Sequence, residues 1–242
     1  MLNLELQRQY TQNQKKRRNT GAAYKEGFLV LKTTISHYSA NAEHYYSLYQ
    51  SISADSVHSY LEQALTNITP STALDVGAGS GRDANWLAEK GWQVTATEPA
   101  EALLKLAKQH SKEKVIWCNA ALPALANLPT AHQHKHQHQH FDLILLSAVW
   151  MHLPIGDRPR AIERLAELLS ANGRMYISLR FGPSEPERPM YPVSYEELQA
   201  LAAENGLTAR NLNPVPSKDG LKRSDVEWVT VELMRQPDKA KT

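Results

Sequence analysis

Leu74-Asp75-Val76-Gly77-Ala78-Gly79-Ser80-Gly81 is a short apolar run with one carboxylate, followed by three glycines at alternate positions. Seventeen residues past Gly81, a second apolar run, Val94-Thr95-Ala96-Thr97, ends in Glu98-Pro99. The order reads as strand, tight turn, helix and strand, with an acid at the second strand's tip. Glycine lets the backbone adopt positive φ and come close to a ligand. The amides that open the helix face whatever is bound there. An acid about 20 residues further on is placed to accept hydrogen bonds from both ribose hydroxyls. The stretch therefore predicts a nucleoside pocket.

The glycines run G-x-G-x-G, whereas the dinucleotide fingerprint is G-x-G-x-x-G over a pyrophosphate. Asp75 stands two residues before the first glycine, where a carboxylate would repel a pyrophosphate and suit a cation. S-adenosylmethionine carries an ammonium and a sulfonium and no phosphate. The pattern resembles the class I S-adenosylmethionine-dependent methyltransferases, whose first motif is (D/E)-x-G-x-G-x-G. The resemblance tightens along Phe141–Pro154 and Arg180–Pro192, which look like a bacterial small-molecule subgroup of unknown substrate. Tyr38, Tyr45 and Tyr49 match the Y-x(6)-Y-x(3)-Y helix that lids the cofactor in many relatives. It covers roughly residues 36 to 235.

At 242 residues the chain suits one α/β domain with appendages. Residues 1 to 35 hold seven Lys/Arg against two Glu, including Lys15-Lys16-Arg17-Arg18, within a net charge of only +2. This segment reads as a basic, flexible arm, and residues 36–242 as the folded domain. The arm lacks the aromatic interleaving that stacking on single strands would need, which argues against a nucleic-acid partner; if there is one, the basic arm is where it would bind. A single cysteine, Cys118, no apolar leader and no 18-residue apolar run point to a cytoplasmic protein, monomeric or homodimeric, away from membranes.

Val57, Tyr60, Leu61, Ala64 and Leu65 follow helical spacing, predicting one helix over 53–66. Helices are further expected at 82–90, at 100–110 and from Asp157-Pro159 to Asn172-Gly173. A last one follows the capping box Ser194-x-x-Glu197. Strands are expected between Pro70 and the glycine loop and at 92–97, 115–118, 141–146, 175–181, 207–213 and 226–234. This alternation predicts a doubly wound, mostly parallel sheet covered on both faces. The resemblance implies a Rossmann-like, seven-stranded sheet with its last strand antiparallel. The tract His132-Gln-His134-Lys-His136-Gln-His138-Gln-His140 reads as a surface insertion over 131–140 and not as a metal centre.

Open α/β sheets bind ligands beyond the carboxyl ends of their strands. That rule and the resemblance place Asp75 near the methionine ammonium. Gly77, Ala78, Gly79 and Gly81 would lie along the ligand, with Arg82 and Asp83 opening the helix. Glu98 would take the ribose, with Pro99 beside the adenine. Asn119, Ala120, Ala121 and Leu122 would border the adenine edge, and Ser147 and Ala148 would form the floor by the methionine. His152 is the candidate base, Trp150 an aromatic wall, Arg180 an acid-binding residue and Tyr38 a cover for the sulfonium. Arg188 and Tyr191 would border the acceptor entrance.

The expected activity is methyl transfer to a small-molecule acceptor, producing S-adenosylhomocysteine. Cyclisation of the cofactor with release of methylthioadenosine, and a non-enzymatic cofactor-binding module carrying nucleic acid on its arm, are the alternatives. Ser147-Ala148-Val149-Trp150 lacks the (D/N)-P-P-(Y/F) motif of amino-methylating DNA enzymes, which argues against base methylation.

Overall fold

The computed structural model describes residues 21–66, 68–112, 115–128 and 140–236. Its elements are α1 (Gly21–Ala40), α2 (Ala42–Gln50), α3 (Ala54–Val57), α4 (Ser59–Leu65), β1 (Thr72–Val76), α5 (Arg82–Glu89) and β2 (Gln93–Thr97). There follow α6 (Glu101–Gln109), β3 (Val115–Cys118), β4 (Phe141–Leu146), α7 (Arg158–Leu168) and β5 (Leu169–Phe181). The chain ends in α8 (Tyr195–Glu204), β6 (Leu207–Asn211), β7 (Ser217–Lys218) and β8 (Glu227–Arg235).

The sheet runs β3-β2-β1-β4-β5-β8-β6, with the short β7 paired to β8. Strands β1 to β5 are parallel to one another, and β8 is antiparallel to β5, β6 and β7. The mostly parallel, doubly wound expectation holds; β7 is the one strand beyond the seven expected. Between β1 and β4 the strand order reverses, which opens a crevice at the carboxyl ends of the strands.

Period-two alternation sends strand residues to two cores. Leu74, Val76, Ile144, Leu146, Ile177 and Leu179 meet α7 and α8 on one face. Ala73, Leu143, Leu145 and Tyr176 meet Leu61, Trp86 and Leu87 on the other. This is why Phe141–Leu146 reads as an almost unbroken apolar run. At the β5–β8–β6 edge Glu232 is fully buried, bonded to Arg174 Nη1 (2.7 Å), Tyr176 Oη (3.0 Å) and Arg210 Nε (2.8 Å). Three strands are thereby tied through one carboxylate.

Three sequence expectations are corrected. The helix expected at 53–66 breaks at His58 into α3 and α4. His58 is buried against the Trp86 ring, with its Nε2 3.0 Å from Asp83, while Val57 and Tyr60 are left exposed. Tertiary packing of one histidine overrides the helical period. The helix after Asp157 ends at Leu168, and Asn172-Gly173 lies inside β5. There the pairing of β4 with β5 slips between Phe141 and Leu143, and a Cβ on Gly173 would meet Phe141 O at 2.8 Å. That glycine serves a bulge, where close backbone approach excludes a side chain. Finally, α1 runs through residue 35, so the expected arm boundary falls inside a helix. Residues 1–20 and most of the histidine tract lie outside the described residues. Among the described residues no helix is long and apolar enough to cross a membrane.

Candidate active site

The glycine loop is a left-handed turn by construction. Gly77, Gly79 and Gly81 have φ of +68°, +56° and +79°, a region other residues enter only with strain. The turn joins β1 to α5. The Gly79 amide donates to Glu98 Oε2 (2.9 Å) and the Ala100 amide to Glu98 Oε1 (2.8 Å). The acid at the tip of β2 is thus wired to the loop it serves. Burial pushes its carboxyl up to about 7.

A cavity of about 280 Å³ opens over these strand ends. Its wall includes Gly77, Ala78, Gly79, Arg82, Asp83, Glu98 and Pro99 on one side, and Ala121, Leu122, Ser147, Ala148 and Val149 beneath. Ala148 has φ +59°, and its amide donates to Ser178 Oγ (2.7 Å). A left-handed alanine at a strand tip is strain of the kind held at functional sites. Gly77 faces the same turn: a Cβ there would stand 2.7 Å from Val149 Cγ2. Gly77→Ala is expected to destabilise the fold by about 1–3 kcal/mol through this clash and the positive φ. A chemical denaturation midpoint equal to the parent's would contradict that expectation.

Strand alternation places Tyr176, Ser178 and Arg180 of β5 on the cavity wall, beside Trp228 and Thr230 of β8. The roof comes from α1, α2 and the segment 182–192. Tyr38 Oη lies 3.2 Å from His152 Nε2, receives Arg188 Nη1 at 3.0 Å and Tyr49 Oη at 3.3 Å. Arg188 is held in turn by Glu185 through Nε and Nη2, both at 2.6 Å. His152 Nδ1 lies 3.3 Å from Pro189 O, and burial lowers this imidazole to about 4.

Not every expected residue reaches the cavity. Asp75 is buried below the loop, receiving the Ala84 amide, while its Oδ2 has no partner among the described residues. Burial and the neighbouring Asp83 raise its carboxyl well above the usual range. Trp150, expected as an aromatic wall, is fully buried in the core, with the Arg158 guanidinium 5.6 Å from its ring centroid. The tight turn Trp150–His152 points Trp150 inward and leaves Met151 and His152 on the wall. Gly81 and Ala120 are buried away from the cavity, Asn119 is exposed at the surface, and Tyr191 is not on the wall. Gly81 is instead kept by packing, since a Cβ there would meet the Trp117 ring at 3.0 Å.

Sequence reasoning missed His58, Gln50, Ser178 and the strap Ser217–Arg223. The Gln50 amide donates to Ser80 O (3.0 Å), tying α2 to the glycine loop. In the strap, Asp219 binds Arg223 through two hydrogen bonds (2.8 and 2.9 Å) and receives Trp228 Nε1 (3.0 Å). Lys218-Asp219-Gly220 was a legible turn signal. Among the described residues no cluster of three His, Cys, Asp or Glu could hold a metal ion.

A family model described as a methyltransferase domain matches residues 43–218. The ubiquinone biosynthesis O-methyltransferase of Coxiella burnetii is 29% identical over 119 residues, 49% of this chain and 47% of that protein. Its namesake from Xylella fastidiosa is 33% identical over 105 residues, 43% of this chain and 40% of that protein. The chain spans about half the length of the curated relatives it matches. Among solved structures, a 1,6-didemethyltoxoflavin-N1-methyltransferase from Burkholderia thailandensis, with that compound and S-adenosylhomocysteine bound, superposes with a TM-score of 0.62. It is 19% identical, over 87% of this chain and 91% of that one. Magnesium protoporphyrin IX methyltransferase from Synechocystis PCC 6803, solved with S-adenosylmethionine, gives 0.56 at 21% identity over 75% and 77%. The glycine turn, its paired acid and strands β1 to β7 all fall within the matched span, and the chain belongs to the methyltransferase-domain family.

Proposed function

We propose that the chain is an S-adenosylmethionine-dependent methyltransferase acting on a small-molecule acceptor and releasing S-adenosylhomocysteine. The observation that carries this reading is Glu98, buried in the cavity wall and bonded to the Gly79 amide of the turn. A carboxylate oxygen keeps lone pairs beyond one amide bond, so Glu98 can still accept from two ribose hydroxyls. The orphaned Asp75 Oδ2 supports the fit from below: an unpaired buried acceptor suits an ammonium or the water that solvates it. Pro99, Ala121 and Leu122 would flank the adenine, and Ser147 and Ala148 the methionine chain. The Tyr38 ring would face the sulfonium, an arrangement that favours a cation.

When bound, S-adenosylmethionine supplies an electrophilic methyl carbon, which an acceptor lone pair attacks as the carbon–sulfur pair leaves on sulfur. The chain's own work is alignment and proton management. His152 would take the acceptor's proton at Nε2. The roof of α1, α2 and 182–192 would keep water off. The buried free Cys118 fits a reducing compartment, the cytoplasm.

The test is mass spectrometry of products formed from S-adenosylmethionine and a cell extract. S-adenosylhomocysteine with a methylated metabolite is the expected result. Methylthioadenosine would favour cyclisation, and unconsumed S-adenosylmethionine would overturn both enzymatic readings.

A further inference from the structure

The far end of the cavity, along β5 and β8, carries Arg180, Arg188, Lys218 and Arg223. Two of the three guanidiniums are neutralised: Arg188 by Glu185 and Arg223 by Asp219. Arg180 is not. It is 5% exposed, and among the described residues no carboxylate comes within ion-pair distance. Its Nη1 donates to the Pro183 carbonyl at 2.8 Å, which orients the fork without cancelling its charge. Burial and the like charges of Arg223 and Arg188 work against its protonated form, and the more distant Glu185 and Asp219 offset this only in part. A charge held so deep normally has a counter-ion or finds one.

The geometry points to an acceptor bearing a carboxylate or an equivalent planar anion, bound by Arg180 with its apolar body against Trp228 and Leu221. This deepens the methyltransferase reading and rests on it. The two ends of the cavity carry different groups, carboxyls at one and an unpaired guanidinium at the other. Glu98, with Asp75 beneath the loop, suits a cationic cofactor, while Arg180 suits an anionic acceptor, so each ligand is steered to its own end. A guanidinium fork matches a carboxylate in two hydrogen bonds. Lysine supplies the charge without the fork. Asp219 and Glu185 also face this end, but both are already engaged by arginines, so they orient the site and do not repel the ligand. An anionic acceptor also brings a negative charge towards His152 and would raise its basicity when a proton must be accepted.

Calorimetry on the full chain with 2-naphthoate and its isostere 2-naphthamide tests this, alone and with S-adenosylhomocysteine present. The carboxylate is expected to bind about tenfold tighter than the amide or better. Arg180→Met should erase the preference, and Arg180→Lys should keep part of it, with S-adenosylhomocysteine affinity unchanged in both. Equal binding of the pair, no binding of either at millimolar concentration, or a preference that survives Arg180→Met would overturn the assignment. The parent's carboxylate-to-amide ratio stands as a test even if a variant fails to fold. S-adenosylhomocysteine that fails to bind, beside an intact carboxylate preference, would sink the methyltransferase reading and leave the anion site standing. The converse pair of results would do the reverse.

Discussion

His152→Gln is expected to lower kcat by about 10²- to 10⁴-fold, the contribution typical of a positioned general base. Affinity for S-adenosylhomocysteine should stay at the parent value. The argument begins with the hydrogen bonds. Nδ1 faces the Pro189 carbonyl at 3.3 Å, so the proton is assigned to Nδ1 and the Nε2 lone pair is left facing the cavity. Tyr38 Oη accepts from Arg188 and Tyr49, which commits its single proton to His152 Nε2. An acceptor hydroxyl arriving at this point would replace Tyr38 as the donor. Burial holds the imidazole near 4, so the basic form is populated at every pH above that value. The kcat/KM profile, which reports the free enzyme, should therefore show no limb from His152 between about pH 5 and 8. Tyr38→Phe should cost much less in kcat, since it removes the holder and not the base. Glutamine occupies similar space and can keep the Pro189 bond, so a parent-like melting temperature separates chemistry from folding. A kcat within a few-fold of the parent, or a loss confined to KM, would remove His152 from the chemistry.

The half of this site that the sequence made legible is the half built by backbone rules. Gly77 and Gly79 announce positive φ, and Glu98 follows at the spacing that one helix and one strand impose. Strands β1, β2 and β4 are legible because burial on both faces leaves no polar alternation to confuse. Residues whose direction depends on a turn were not legible. Trp150 and His152 stand two positions apart on a tight turn that follows the left-handed Ala148, and the turn sends Trp150 to the core and His152 to the wall. Asp75 stands out in the sequence as the acid of the motif. Its depth below the loop depends on the packing of Arg82 and Asp83 above β1, which a linear pattern does not contain. In the strap Ser217–Arg223 only the turn Lys218-Asp219-Gly220 is legible: its two-residue strand carries no period, and its pairing with β8 is a tertiary contact. The break at His58 is a tertiary effect of Asp83 and Trp86 on an otherwise acceptable helix.

Glu98→Gln is expected to weaken S-adenosylhomocysteine binding by about 1–3 kcal/mol, the cost of replacing a charged acceptor in a buried pair of hydrogen bonds. It should also remove a pH dependence that the parent shows. In the ligand-free protein burial raises this carboxyl from 4.5 to about 7. Ribose hydroxyls donate to the ionised form, so binding below about pH 7 must expel a proton. The parent's affinity should therefore fall as pH drops below about 7, by at most about tenfold per unit. The Gln variant should be flat over the same range. The sign for folding is opposite. A carboxyl whose folded value is raised contributes stability below its unfolded value, and that stability is lost as pH rises through about 7. The ligand-free parent should thus lose stability relative to Glu98→Gln between about 4.5 and 7, while the ligand-bound parent should not. Calorimetry in two buffers of different ionisation enthalpy counts the released proton directly. No proton release below neutrality, or the same affinity slope in the Gln variant, would mean that the sugar is held by some other group and that Glu98 only braces the glycine turn.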